Sequence, residues 1–225
     1  MQDTLNDLTR NAEAPRYALL RRLVPAIRHQ IAGSFQPVTM MAAIVEKRLL
    51  AASPDLPALA KTSNEVRAMA TVATRSSLDL MGWIAPDPEA RVPLDKGIEA
   101  GLHLVATELS FRGFKCASQA QGVADEVLLS HLRGVFVAAL LALTDAAAAP
   151  ATVRVKAARE GRHMAVTLAL EDLSSSAETA PDADFHLSLA AYRKIDWSDV
   201  EAMAAADGVP LHYTPLHVTL HFPIS

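Results

Sequence analysis

Between Pro15 and Leu50 apolar and small residues recur at three- and four-residue steps, through Leu20, Leu23, Ile27, Ile31, Ser34, Val38, Ala42, Val45 and Leu49. That spacing predicts one long amphipathic helix. Ordinary helices average about 11–12 residues, so a helix of this length needs a partner along it. Pro37 lies inside the pattern and predicts a kink near Gly33. Ser53, Pro54, Asp55 and Pro57 mark a turn. A second stripe follows in Leu56, Leu59, Ser63, Val66, Ala70, Ala73, Ser77, Leu80 and Ile84. Two long helices joined by a short turn make an antiparallel hairpin. One hairpin leaves apolar surface bare, and two hairpins from two subunits bury it as a four-helix bundle, which predicts a homodimer. The alternative is a hairpin packed on its own C-terminal half.

The pattern changes after Ala85-Pro86-Asp87-Pro88-Glu89, which reads as a stiff polar linker over 85–92. Asp95 to Phe111 predicts a helix with Ile98, Leu102, Val105 and Leu109 inward, closed by Gly113, and Phe114 to Ser118 a short strand. Asp125 to Ala147 is apolar on most sides and predicts a buried helix. Thr152 to Ala158 and His163 to Glu171 form a hairpin pattern, and Asp172 to Asp184 is polar and irregular. Asp196 to Ala206 predicts a short helix closed by Gly208, followed by a hairpin of Leu211 to Tyr213 and His217 to Phe222. The expected fold class is α+β. Residues 1–14 are disordered or frayed, 15–84 form the helical hairpin, and 93–225 form an α/β sandwich with a mixed sheet.

Composition narrows the function. Hydrophobic residues make up 51% and charged residues 20% of the 225, enough for a sizeable core. The net charge of −4 gives no basic field of the kind a nucleic-acid binder uses. The single cysteine, Cys116, excludes an internal disulfide and suits a reducing compartment; it reads as a small core residue. No apolar signal core opens the chain, and the apolar run Val135 to Leu143 falls short of the ~20 residues a bilayer span takes. The expectation is a cytoplasmic protein with no membrane and no nucleic-acid partner.

"LRGVFVAALLALTDAA", "ATVRVKAAREGRHMAVTLALED" and "DWSDVEAMAAADGVPLHYTPLHVTLHFPIS" carry a resemblance. In order, they resemble the N-box helix, the strand pair after it, and the last helix with closing hairpin of the histidine-kinase ATP-binding domain, the GHKL ATPase fold. The first half resembles the dimerisation and phosphotransfer helices of the same proteins. Together the resemblance covers nearly the whole chain. It implies a nucleotide site whose parts can be sought residue by residue. Family N-boxes place Asn where it helps hold Mg²⁺, because a hard cation needs oxygen ligands. Aligned on Asp145-Ala146-Ala147, those positions fall on Ala138 and Ala142. The family's Asp-x-Gly-x-Gly box is replaced by Asp172-Leu173-Ser174-Ser175-Ser176, in which Asp172 stands for the adenine-binding Asp and the glycines are missing. No glycine lies between Asp182 and Ile195. The resemblance therefore implies a degenerate nucleotide pocket at Ala138, Ala142 and Asp172, with no cofactor and no metal. It is similar in kind to kinase-like histidine phosphotransferases.

His29, in "LVPAIRHQIAGSFQPV", is the candidate phospho-acceptor. With Ile27 at the centre of the buried stripe, His29 lies about 200° round the helix, on the outer face. Pro25, Ala32, Gly33, Gln36 and Met40 leave room for a docking partner, and Arg21, Arg22 and Arg28 could balance a phosphoryl charge. A neutral imidazole is a competent nucleophile near pH 7. The bland alternative is a solvated surface histidine flanked by arginines. In the family an acidic residue follows the phospho-acceptor, whereas here Gln30 follows it. Gln30 can still accept a hydrogen bond, which suits transfer from an activated aspartyl phosphate. The expected partners are a response-regulator receiver domain or a histidine kinase. The expected roles are phosphorelay through His29 or a non-catalytic scaffold; a surviving atypical kinase is a third. His103 reads as a partly buried helix residue and His131 as structural. His163, His186, His212, His217 and His221 form no pair with a supporting carboxylate, so no zinc site is expected.

Overall fold

The computed structural model describes residues 2–147, 151–171 and 192–224. The chain divides into two compact units, one of Val24–Ala85 and one of Met1–Leu23 with Pro86–Ser225. Helix α1, Gln2–Leu49, contributes to both.

The helix starts far earlier than the expected boundary at Pro15. The reason lies in what its first third buries. Ala12, Pro15, Leu19, Arg22 and Leu23 are buried at three- and four-residue spacing, so the polar N-terminal stretch has an inward stripe of its own. Pro37 does not break the helix either. It costs the Gly33 carbonyl its helical N–H partner, and Gly33 is exposed, so water can satisfy that carbonyl.

In the Val24–Ala85 unit, the second part of α1 is followed by α2, Leu56–Met81. Asp55 caps α2 by accepting the Ala58 N–H at 3.0 Å, and Pro57 sits in the first turn, where no N–H is needed. Leu59, Thr62, Ala73 and Leu80 of α2 are buried, and so is Ile27 of α1. Ile31, Ser34, Val38, Met41 and Val45 are half-buried along the same stripe. Arg48, near the end of α1, donates to Thr62 Oγ1, near the start of α2, at 3.2 Å, as an antiparallel hairpin requires. Along α2 the expected stripe faces inward at Leu59, Val66, Ala70, Ala73, Ser77 and Leu80, whereas Ser63 is exposed and Leu56 and Ile84 at the ends are 67% and 47% exposed.

The other unit is α/β. Strand β1, Arg91–Pro93, pairs antiparallel with β3, Glu126–Leu128. Between them lie α3, Leu94–Phe111, and β2, Lys115–Ser118. The expected helix from Asp125 therefore begins later, because Glu126–Leu128 is drawn into this pairing. Helix α4 follows, as a turn Leu129–His131, a π-helical segment Leu132–Phe136 and an α-helix Val137–Ala146. Its 18 residues are apolar enough to cross a membrane by length and composition, and most of it is buried inside this unit. Then come β4, Thr152–Glu160; β5, His163–Glu171; α5, Trp197–Asp207; β6, Leu211–Tyr213; and β7, His217–Pro223.

Five strands form one mixed sheet in the order β2-β4-β5-β7-β6, parallel only between β2 and β4. Val153, Val155, Val166, Leu168, Val218, Leu220 and Phe222 alternate inward and have no exposed surface. They face the layer of α3, α4 and α5. Close packing of α3 on α4 depends on glycine: a Cβ on Gly97 would lie 2.1 Å from Leu132 Cδ1, and one on Gly101 3.1 Å from Phe136. Helix α5 is set by a reciprocal cap between Asp196 and Asp199 and by Gly208 in the left-handed region at φ 63°.

Candidate functional site

His29 projects from α1 within the Val24–Ala85 unit and is exposed, while Ile27 two residues earlier is only 5% exposed. Ala32, Gly33, Gln36 and Met40, one to three turns further along, are also exposed, and Pro25 and Gln30 are half-buried. Nothing lies within 4 Å of where a Gly33 Cβ would stand. The ring thus sits on a rigid helix, bordered by small residues. Arg28 beside it is exposed and supplies a positive charge.

Arg22 does not belong to that surface. Its side chain is 3% exposed and is spent on carboxylates of the α/β unit. Nε donates to Glu108 at 3.0 Å and Nη2 to Asp145 at 3.1 Å. Arg112 completes the group, 2.8 Å from Asp145, and donates to the Thr144 carbonyl at 2.7 Å. Asp145 also accepts the Ile195 N–H at 3.2 Å. Two cations and two anions are thus buried together, as charge removed from water requires. Burial opposes the charged form of Arg22, but Glu108 and Asp145 together raise its pKa above the usual value. The expected docking role of Arg22 is therefore corrected, since the guanidinium faces inward. Arg21 is exposed, with its guanidinium 6.0 Å from the ring centroids of Tyr17 and Tyr192.

A second ionic group lies at the far end of α4. Arg16 pairs with Asp207 of α5 at 2.5 Å. Asp207 also borders Gly134, its Oδ2 3.7 Å from where a Gly134 Cβ would stand. Burial raises the Asp207 carboxyl above the usual range, and the charges of Arg16 and His131 partly oppose that. Burial likewise lowers His131, against the pull of Asp207. Sequence reading reached the buried, structural character of His131 but not its partners. Arg16, Glu108 and Asp207 gave no local signal, because their roles depend on helices far apart in the chain.

Ala138 and Ala142 lie on one stripe of α4 between Gly134 and Asp145, and are 0% and 2% exposed. Neither side chain carries an oxygen of the kind a hard divalent cation takes. Asp172 lies outside the described residues. Three other expectations change. His103 is exposed, and Cys116 is exposed on edge strand β2 rather than in the core. His221 Nε2 does pair with a carboxylate, Glu160, at 3.2 Å, and the His212 ring lies 6.3 Å away. No group of three or more candidate metal ligands converges among the described residues.

The chain is α+β, with a long helical hairpin preceding an α/β domain whose mixed sheet carries its helices on one face. No family model and no curated protein matches it. Solved structures that overlap it include the histidine kinase AdeS of Acinetobacter baumannii, at 11% identity over 84% of this chain and 98% of that chain, with a TM-score of 0.44. A bacterial phosphotransferase overlaps at 9% identity over 91% of this chain and 95% of that chain, TM-score 0.36. A histidine kinase from Burkholderia phymatum overlaps at 14% identity over 88% and 97%, TM-score 0.37.

Proposed function

We propose that this protein is a cytoplasmic, dimeric histidine phosphotransferase of two-component signalling that moves phosphoryl groups between receiver domains through His29 and does not use ATP. One observation carries this reading: an exposed histidine among small residues on a long helix, in a chain whose Mg²⁺-ligand positions hold the buried alanines Ala138 and Ala142. In the forward step a ring nitrogen of His29 attacks the phosphorus of an aspartyl phosphate. The N–P bond forms as the acyl P–O bond breaks, the receiver regains its carboxylate, and the proton on the other ring nitrogen passes to water. Gln30 can hold the ring by a hydrogen bond but cannot take that proton. An acyl-phosphate donor is already activated and asks less of the acceptor than ATP does. Arg28 offsets the negative charge that accumulates.

Gln30 favours a second reading. In this reading His29, without an acidic neighbour for its ring, serves only as part of a docking face, and the protein is a non-catalytic scaffold or inhibitor that binds a receiver or a kinase. A phosphorylated receiver separates the two. Faster loss of phosphate from the receiver in the presence of wild-type protein, but not of His29→Ala, supports transfer. Binding without any change in the receiver's phosphate lifetime supports the scaffold.

A further inference from the structure

The α3–α4–α5 layer of the α/β unit carries a second helix on its far side from the sheet. Arg16 reaches Asp207 of α5, and Arg22 reaches Glu108 of α3 and Asp145 of α4. Between these two ionic contacts Leu19 is 5% exposed, and Leu23 beyond them is 3% exposed. Arg16, Leu19, Arg22 and Leu23 follow one another at i, i+3, i+6 and i+7, the spacing of a single helix face. The surface opposite them is built to receive such a face. Acids stand at both ends, Asp207 at one and Glu108 with Asp145 at the other.

We infer that this surface is a receptor groove for a basic amphipathic helix of the form Arg-x-x-Leu-x-x-Arg-Leu, filled in cis by Arg16–Leu23 of α1. The groove selects by charge, because a bound helix without the second arginine leaves Glu108 and Asp145 with Arg112 as their one cation. The two ends hold unequally. Arg22 is 3% exposed, whereas the Arg16 side chain is 40% exposed, so release begins at Arg16. The same segment of a second copy of this chain enters only when the resident segment leaves. This inference concerns the α/β unit and stands apart from whether His29 is phosphorylated.

The test uses the full chain and a fluorescein-labelled synthetic peptide of residues 10–27. The wild type, with its groove filled, should bind the peptide at least tenfold more weakly than the Arg16→Glu/Arg22→Glu variant, whose own segment is repelled. A peptide carrying the same two changes should bind neither protein. Equal binding to wild type and variant would overturn the inference, as would no binding to a variant that melts cooperatively. If the double variant does not fold, Arg16→Glu alone decides the matter, because it alters only the more exposed end. Amide exchange over residues 10–20 should then quicken at least tenfold relative to the wild type. Unchanged exchange there would overturn the inference.

Discussion

Arg22 of α1 and Asp145 at the end of α4 meet at 3.1 Å with side chains 3% and 5% exposed. Through Asp145 the same contact reaches the Ile195 N–H just before α5. Helix α1, helix α4 and the approach to α5 are thus held at one point, and its charges balance only while all four members are present. Buried ion groups of this kind add little net stability over a well-packed apolar cluster, but breaking one leaves an uncompensated charge.

Arg22→Ala should therefore destabilise the protein by roughly 3–5 kcal/mol. Arg28→Ala, which removes an exposed cation, should stay within about 0.5 kcal/mol. Urea denaturation of the two variants measures the difference. Equal midpoints would mean that the Arg22 network is not formed in solution.

Mild acid should loosen the Arg16 end of the same helix. Burial holds the folded His131 pKa below 6.5, so the unfolded chain takes up the proton first. The stability that His131 contributes is full above pH 6.5 and falls as the pH drops below it. Asp207 has the opposite sign: its folded pKa is raised above 3.8, so its term favours the folded state in acid and fades as the pH rises through the folded pKa. Its protonation nevertheless removes the charge that holds Arg16. Between pH 7.5 and 5.5 the urea midpoint should fall, and His131→Asn should flatten that slope. An identical slope in the variant would contradict the assignment.

Two glycines should respond oppositely to alanine. At Gly97 the added Cβ would stand 2.1 Å from the side chain of Leu132, itself 1% exposed, so overpacking should cost about 1–3 kcal/mol. At Gly33, exposed in mid-helix with nothing within 4 Å, alanine should stabilise by about 0.5–1 kcal/mol. Thermal melts of both variants check the pair.

The hairpin leaves large apolar side chains in water. Val72 and Leu78 on α2 are 67% and 68% exposed, and Leu49 on α1 is 53% exposed. Leu78 also borders a shallow depression lined by Arg67, Ala70, Thr71, Thr74 and Arg75. A two-hairpin bundle would cover such a face. Sedimentation should give a dimer for the wild type and a monomer of unchanged helicity for Val72→Asp/Leu78→Asp. A wild-type monomer would remove the dimer from the account.

Much of this was legible from residue spacing. The heptad-like stripe of Ile27, Ile31, Ser34 and Val38 announces α1, and the alternation in β4, β5 and β7 gives the antiparallel core of the sheet. The outward position of His29 follows from its offset to Ile27 alone. What spacing could not give was the use of α1 before Pro15. That stretch is polar, and its inward stripe of Ala12, Pro15 and Leu19 has meaning only against a surface built more than eighty residues later. Arg22 misled for the same reason: beside Arg21 it looks like a surface cation, and only the folded positions of Glu108 and Asp145 turn it inward. The π-helical turn Leu132–Phe136 was likewise invisible; the side chains of Leu132 and Phe136 lie against Gly97 and Gly101 of α3, far away in the sequence.

The most direct test of the central claim is a two-receiver relay. A receiver domain carrying radiolabelled aspartyl phosphate is mixed with this protein and then with a second, unlabelled receiver, without ATP. The account predicts an acid-labile label on the wild-type protein that passes to the second receiver, and neither label nor relay with His29→Gln. Labelling of His29→Gln to the wild-type level, or label acquired by the wild type from Mg-ATP alone, would contradict it.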